Sequence, residues 1–243
     1  MRLFGLIGYP LAQSFSKKYF TEKFLIKGIP DAAYELFELD NIQKFPSLLA
    51  SHKDLCGINV TIPHKQRVMA YLDELDDEAK EIGAVNCIRI DGGKLLGFNT
   101  DAPAFENSLK ELLIPFHNKA LVLGTGGAAK AVIYVLKKLG IEYQFVSRTK
   151  NRGTITYEEL TAGIIKDYKL VINCTPLGSF PKAETFPPIP YEWLTPEHYL
   201  YDLVYNPSET MFLQKGKQRG AIIKNGYDML VGQAELSWDI WNS

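Results

Sequence analysis

Cysteine is scarce in this chain. Cys56, Cys87 and Cys174 are spread over 243 residues, with no C-x-x-C pair and no histidine at metal-ligand spacing. An odd, sparse set makes no disulfide framework and fits a reducing compartment, so a cytoplasmic location is expected. The four histidines, His52, His64, His117 and His198, are equally scattered, which leaves no protein-built zinc site. An excess of either charge is also missing. Lysine plus arginine number 27 against 28 aspartate plus glutamate, a net charge of −1. That balance gives no electrostatic reason for a nucleic-acid or membrane partner, so any bound anion must be held by local groups. No apolar run reaches the roughly 18 residues of a membrane span. The opening stretch Met1–Pro10 is broken by Gly5, Gly8 and Pro10, and reads as a first buried strand rather than a signal peptide.

What is present is ordinary globular material. A composition of 46% hydrophobic and 23% charged residues excludes disordered and low-complexity readings. The length allows one large domain or two small ones, each with a real core. Strand-like and helix-like segments alternate, which points to an α/β fold. The expected order begins with strand 3–8, helix 16–27 with Phe20, Phe24 and Leu25 inward, strand 33–39, helix 42–51 and strand 55–60. A helix is expected to open near Pro63, because proline's fixed φ suits a first helical turn. The acidic run 73–81 reads as a solvated helix face. Segments 85–90 and 94–98, joined by Asp91-Gly92-Gly93, form the clearest hairpin.

A second unit is expected after helix 104–113. It comprises strand 120–123, a helix to about 139, strands 143–147, 169–173, 200–204 and 221–223, and a last helix at about 228–241. That last helix carries Met229, Leu230, Leu236 and Ile240 at helical spacing. The proline-rich stretch 180–196 reads as a surface loop. No internal repeat stands out.

The most legible motif is G-x-G-x-x-A at Gly124, Gly126 and Ala129, within Gly124-Thr125-Gly126-Gly127-Ala128-Ala129. The first glycine permits a tight turn, the second lets backbone approach a pyrophosphate, and a small third residue brings helix and strand together. The helix N-terminus then offers free N–H groups to phosphate. About twenty residues on, an NAD site carries an acid for the ribose 2′-hydroxyl. Here the strand ends Ser147-Arg148-Thr149-Lys150, without a carboxylate. Arg148 can stack on adenine and pair with a 2′-phosphate, so NADP(H) is the expected cofactor. The plainer reading of Arg148 and Lys150 is an ordinary basic turn.

A second constellation precedes it. Gly57-Ile58-Asn59-Val60-Thr61-Ile62-Pro63-His64-Lys65, Asn99-Thr100-Asp101 and Asn86 put polar groups at strand ends, where open α/β sheets bind ligands. Spacing alone slightly favours Lys65 as a surface helix lysine and Asp101 as a helix N-cap.

These segments together resemble the shikimate dehydrogenase family, the shikimate/quinate dehydrogenases, over essentially the whole chain from Gly8 to Gln233. Besides G-x-N-V-T-x-P-x-K, N-T-D and the glycine-rich loop, the resemblance rests on Asn173-Cys174-Thr175-Pro176-Leu177-Gly178, Asp202-Leu203-Val204-Tyr205-Asn206-Pro207 and Met229-Leu230-Val231-Gly232-Gln233. It implies an N-terminal open mixed α/β substrate domain and a Rossmann-type NADP-binding domain. The former is expected over about 1–101, with the last helix at about 228–243 returning to it, and the latter over about 102–227.

The implied activity is NADPH-dependent reduction of 3-dehydroshikimate to shikimate, a step toward chorismate and the aromatic amino acids. By resemblance, Lys65 and Asp101 form the catalytic pair and Ser14 and Ser16 hold the substrate carboxylate. Asn59, Thr61, Asn86, Asp101 and Gln233 take its hydroxyls, and Tyr205 is a further contact. Gly124, Gly126, Gly127, Ala128, Ser147, Arg148, Thr149 and Thr175 hold the cofactor, with Gly226 and Met229 beside the nicotinamide. A small-molecule substrate acted on by a monomer or homodimer is implied. The sequence departs from the family pattern at Gln13, Lys17, Ala104, Ser147 and Ser179, and it is short around 151–165. Competing readings are a quinate or broad quinate/shikimate dehydrogenase, an NADP-linked folate dehydrogenase of similar architecture, and a nucleotide-sensing module without turnover.

Overall fold

The structure is a computed structural model that describes residues 1–11 and 14–243. Gln13, one of the departures noted above, lies outside the described residues. Two compact units are present, Met1–Thr100 with Gln233–Ser243, and Asp101–Gly232.

The first unit is built on a six-stranded mixed sheet. Strand β1 (Arg2–Gly8) runs parallel to β2 (Ala32–Glu38) on one side and β3 (Leu55–Val60) on the other. Beyond β3 come β5 (Cys87–Asp91) and β6 (Lys94–Phe98), each antiparallel to its predecessor, and then β4 (Glu74–Leu75). The β5–β6 hairpin turns at Gly92 and Gly93, both with φ in the left-handed region, as a primed two-residue turn demands.

Side chains alternate across β1. Leu3 and Ile7 enter one apolar cluster with Ile58 and Val60, whereas Phe4 and Leu6 enter another with Phe20, Phe24, Tyr34 and Trp241. Helix α1 (Phe15–Ile26) supplies Phe20 and Phe24, four residues apart on one face. Leu25, expected inward, is 82% exposed, because a one-residue step rotates it about 100° off that face. Helix α2 (Phe45–Ser51) follows a single 3₁₀ turn over Ile42–Lys44, so the expected helix 42–51 is present in two pieces.

The helix expected to open at Pro63 does not form there. Residues 61–66 make turns, with the His64 N–H bonded to the Thr61 carbonyl, and only a 3₁₀ helix at Arg67–Tyr71 follows. Proline suits a first helical turn, but the Lys65 carbonyl is taken by the Val85 N–H at 2.8 Å rather than by the next helical turn. Helix α3 (Asp77–Ile82) does occupy the acidic run. Asp76 caps it by accepting from the Ala79 N–H at 2.8 Å, and Gly83 closes it at φ 67°.

The second unit is a parallel sheet throughout. It contains β7 (Lys119–Leu123), β8 (Glu142–Ser147), β9 (Thr154–Thr156), β10 (Leu170–Asn173), β11 (Tyr199–Asp202) and β12 (Ile222–Lys224). Their spatial order is β12-β11-β10-β7-β8-β9. The chain therefore winds outward from β7 through β8 to β9, then returns to β10 and winds the other way. This is the doubly wound order, with its switch point between β7 and β10. The central strands are buried on both faces, as parallel sheets require.

Helices α4 (Asp101–Lys110) and α5 (Gly127–Lys138) pack together, pinned by the buried Glu106 carboxylate between Lys110 and Lys138. The Tyr201 phenol donates to Ser108 of α4 at 2.9 Å. Helices α6 (Ala162–Asp167) and α7 (Met211–Lys217) were not expected from the sequence. The proline-rich stretch is irregular as expected, yet it is not merely surface, since Ile189 and Leu194 are buried in the core with Leu121, Leu200 and Phe212. Helix α8 (Tyr227–Trp241) buries Ala234, Ser237 and Trp241, and the stripe Met229, Leu230, Leu236 and Ile240 is only half-buried.

Two buried imidazoles in the second unit have their tautomers set by backbone. His117 Nδ1 accepts from the Ile114 N–H and its Nε2 faces the Glu197 carbonyl. His198 Nδ1 accepts from the Thr195 N–H, and its Nε2 faces the Ile165 carbonyl at 2.9 Å. Each ring is therefore neutral, with the proton on Nε2. Burial lowers both pKa values. A depressed folded-state pKa adds stability above the unfolded value of about 6.5 and loses it as pH falls below that value. The urea midpoint should accordingly drop between about pH 7.5 and pH 5.5. In a His117→Asn/His198→Asn variant that slope should flatten, and an unchanged slope would contradict the assignment.

Candidate functional site

The first unit gathers its polar residues where strands end. Asn59, near the end of β3, accepts from the Tyr34 phenol at 2.9 Å, and its Nδ2 donates to Ser237 Oγ at 2.8 Å and to the Asn86 carbonyl at 3.3 Å. Asn86 precedes β5. Its Nδ2 donates to Thr100 Oγ1 at 2.9 Å, and its Oδ1 accepts from the Thr100 N–H at 2.6 Å. Asn99 donates to the Ala84 carbonyl at 2.9 Å. All four polar residues, Asn59, Asn86, Asn99 and Thr100, are buried and paired, so their positions are fixed before any ligand arrives.

The bond from the Val85 N–H to the Lys65 carbonyl ties the Lys65 turn to the segment that carries Asn86. Lys65 and Thr61 are half-buried. Ser14 and Ser16 sit at the start of α1, half-buried, with the Ser14 N–H bonded to the Leu11 carbonyl. Gln233 lies on α8, and its carbonyl accepts from Ser237 Oγ at 2.8 Å. The structure thus joins Asn59, Asn86 and the Gln233 backbone in one hydrogen-bonded set that also contains Tyr34, Thr100 and Ser237. Sequence reasoning passed over Tyr34 and Ser237, because a tyrosine in a strand and a serine in a helix carry no motif.

In the second unit the expected residues follow the carboxyl ends of β7, β8, β10, β11 and β12. Gly124 follows β7 at φ 95°, and a Cβ there would stand 2.9 Å from the Thr175 methyl. Both the backbone conformation and the close approach of Thr175 exclude a side chain. Gly126 and Gly127 open α5, and a Cβ at either would meet nothing within 4 Å. An open space therefore stands before the helix N-terminus, where unpaired N–H groups and the helix dipole favour an anion. Ala128 is half-buried in the first turn of the helix, and Ala129 packs inward.

Across the switch point, Asn173 Oδ1 accepts from both the N–H and the hydroxyl of Thr175, at 3.0 and 2.6 Å. Its Nδ2 donates to the buried Asp202 at 2.9 Å. Asp202 also accepts from Thr210 Oγ1 at 2.6 Å and from the Val204 N–H. Burial outweighs these donors and pushes the Asp202 carboxyl up to about 6. Gly226, before α8, is buried against the Leu203 backbone, where a Cβ would come within 2.2 Å of the carbonyl oxygen. Met229 and Tyr205 are half-buried, and burial raises the Tyr205 pKa. Asp101 is buried in the first turn of α4, where a carboxylate complements the helix dipole.

The turn after β8 separates groups that sequence reasoning placed together. Ser147 Oγ donates to the Thr149 carbonyl at 2.6 Å and accepts from the Thr149 N–H, so this hydroxyl is spent on shaping the turn. Lys150 is held by Glu159. Arg148 is exposed, and so is Arg152, which belongs to no motif in the sequence. Neither guanidinium has an ion-pair partner among the described residues. A second arginine four positions on in the same short turn was the available signal. No group of acidic, histidine or cysteine side chains among the described residues could hold a metal ion. No helix among them is long and apolar enough to cross a membrane.

The fold and these strand-end clusters define a two-unit α/β protein with a Rossmann-type second unit. Residues 6–88 match the family model of the shikimate dehydrogenase substrate-binding domain. A shikimate dehydrogenase (NADP(+)) of Clostridium beijerinckii is 41% identical over 99% of this chain and 92% of the relative. One of Carboxydothermus hydrogenoformans is 38% identical over 99% and 91%. A crystal structure of shikimate 5-dehydrogenase of Thermus thermophilus, in complex with NADP(H) and shikimate, has a TM-score of 0.87 at 32% identity, covering 99% of this chain and 93% of that one. The chain belongs to the shikimate dehydrogenase family.

Gly124→Ala should lower the melting temperature and weaken NADP(H) binding together, because a left-handed alanine costs about 1–2 kcal/mol and its methyl displaces Thr175. Calorimetry and fluorescence titration measure the two effects. Unchanged values of both would contradict the packing described.

Proposed function

We propose that this chain catalyses the reversible interconversion of 3-dehydroshikimate and shikimate with NADP(H). The observation that carries this reading is the similarity, over 99% of the chain, to an NADP-dependent shikimate dehydrogenase at 41% identity. The polar geometry of the first unit agrees with it. A polyhydroxylated ring needs several fixed amide and hydroxyl partners, and a site with such partners rejects analogues that leave them unpaired.

The residues present fit the cofactor. The open space before Gly126 and Gly127 takes a diphosphate, and Thr175 is held beside Gly124 by Asn173. Exposed Arg148 and Arg152 suit a 2′-phosphate where an NAD site carries an acid. Thr149 completes the turn, with Ser147 acting inside it. Gly226 and Met229 would lie beside the nicotinamide. Bound NADPH supplies the hydride for the substrate carbonyl carbon.

The protein's part is position and a proton. Ser14 and Ser16 would hold the substrate carboxylate, and Thr61, Asn86 and Gln233 its hydroxyls, with Tyr205 a further contact. Asn59 has both amide protons spent on Ser237 and Asn86, so toward a ligand it acts only as an acceptor. Lys65 would stabilise the negative charge that develops on the carbonyl oxygen and donate the proton, with Asp101 as its carboxylate partner. The scarce cysteines, all three free, support a cytoplasmic setting.

Lys65→Met should lower kcat by roughly 10²–10⁴-fold while leaving NADPH affinity in place. A near-normal kcat would remove Lys65 from the chemistry. Arg148→Ala should raise the NADP+ KM by about 10–100-fold, the loss of one charged hydrogen-bonding group, and leave NAD+ use nearly unchanged. Equal effects on both cofactors would mean that Arg148 does not read the 2′-phosphate.

A further inference from the structure

Tyr34 stands outside every motif in the sequence, yet it bonds directly to Asn59, one of the expected substrate-binding residues. It lies on β2, is 3% exposed, and stacks its ring on Phe20 at 4.5 Å and 14°. Its hydroxyl donates to Asn59 Oδ1 at 2.9 Å. From Asn59 the bonding continues through Ser237 Oγ at 2.8 Å to Thr100 Oγ1 at 3.2 Å, and from Thr100 to Asn86 at 2.9 Å.

Proton counting fixes the direction of this chain. The proton of Ser237 goes to the Gln233 carbonyl, so Ser237 Oγ accepts from Asn59 and from Thr100. The amide protons of Asn59 are both spent, so its oxygen accepts, and among the described residues the Tyr34 phenol donates to it. Burial keeps that phenol protonated throughout the working pH range. The Phe20 stack restrains the ring, so the hydroxyl cannot follow a rotating partner.

We propose that Tyr34 is a positioning residue for substrate binding, its hydroxyl holding the Asn59 amide in the orientation that the substrate meets. The proposal rests on the function proposed above, and it makes Asn59 a residue whose usable lone pair is aimed by a side chain that touches no ligand. Without the hydroxyl, the Asn59 oxygen loses the side-chain donor it has among the described residues, and the amide can reorient. Substrate then binds to groups that must first be ordered.

Tyr34→Phe keeps the ring and removes only the hydroxyl. Its KM for shikimate should rise about tenfold, which is about 1.4 kcal/mol, with kcat changed much less and the NADP+ KM unmoved. Phe24→Leu provides the comparison, since it removes ring volume from the same apolar cluster without touching a polar group. It should lower the melting temperature and leave the shikimate KM in place. A Tyr34→Phe variant with unchanged KM, or a Phe24→Leu variant with an equal rise, would overturn the positioning role.

Exchange of the Asn59 side-chain amide protons, followed by NMR in the ligand-free protein, decides the matter independently of turnover. Faster exchange in Tyr34→Phe supports the proposal, and unchanged exchange overturns it. If the unmodified chain does not turn over shikimate, the functional reading falls, and this exchange measurement still tests Tyr34.

Discussion

A buried side-chain amide left without partners costs about 1–3 kcal/mol, and each sheet of this protein carries one near the carboxyl end of a central strand. Asn59 is the penultimate residue of β3, and Asn173 ends β10. Each is satisfied by its neighbours: Asn59 by Tyr34, Ser237 and the Asn86 carbonyl, and Asn173 by Thr175 and Asp202. The bonds that satisfy them also fix what surrounds them. In the first unit they hold Asn86 and Thr100, and in the second they hold the Thr175 hydroxyl beside Gly124. Buried polar groups of this kind rigidify a site because every partner is committed.

The doubly wound sheet concentrates these ends. Because β7 and β10 are neighbours whose connections leave in opposite directions, the loop at Gly124 and the loop at Thr175 meet at the strand ends. The first turn of α5 faces open space there. Next to it, the turn after β8 divides its polar groups by use. Ser147 and Lys150 are committed within the protein, to Thr149 and Glu159, whereas Arg148 and Arg152 remain exposed. A chain with almost no net charge thus presents a local cationic turn, which is what holding a phosphate without general affinity for polyanions requires.

Much of this was legible in the sequence, and for identifiable reasons. The Gly92-Gly93 hairpin, strand 55–60 and the G-x-G-x-x-A turn all follow from backbone requirements that few residues can meet. The helix at Pro63 was not borne out, because a tertiary bond from Val85 to the Lys65 carbonyl competes with helical pairing there. Strand β9 has three residues and owes its existence to pairing with β8, which no local pattern reveals. Helix α7 was hidden by Gly216 within seven residues, although its Thr210 cap left a signal. In the site, motif residues could be named from the resemblance, but not the division of Ser147 from Arg148, nor the role of Tyr34. Those depend on which donor meets which acceptor, and that pairing is set by packing.

The strand-end groups of the first unit are proposed to hold the substrate of one reaction, and those of the second unit its cofactor. The direct test follows reduced-nicotinamide absorbance while crossing shikimate and quinate with NADP+ and NAD+ on the purified chain. Rapid NADPH formation from shikimate is expected, with quinate and NAD+ both far poorer. Preference for quinate with NAD+, or no reduction of either cofactor by shikimate, would contradict it.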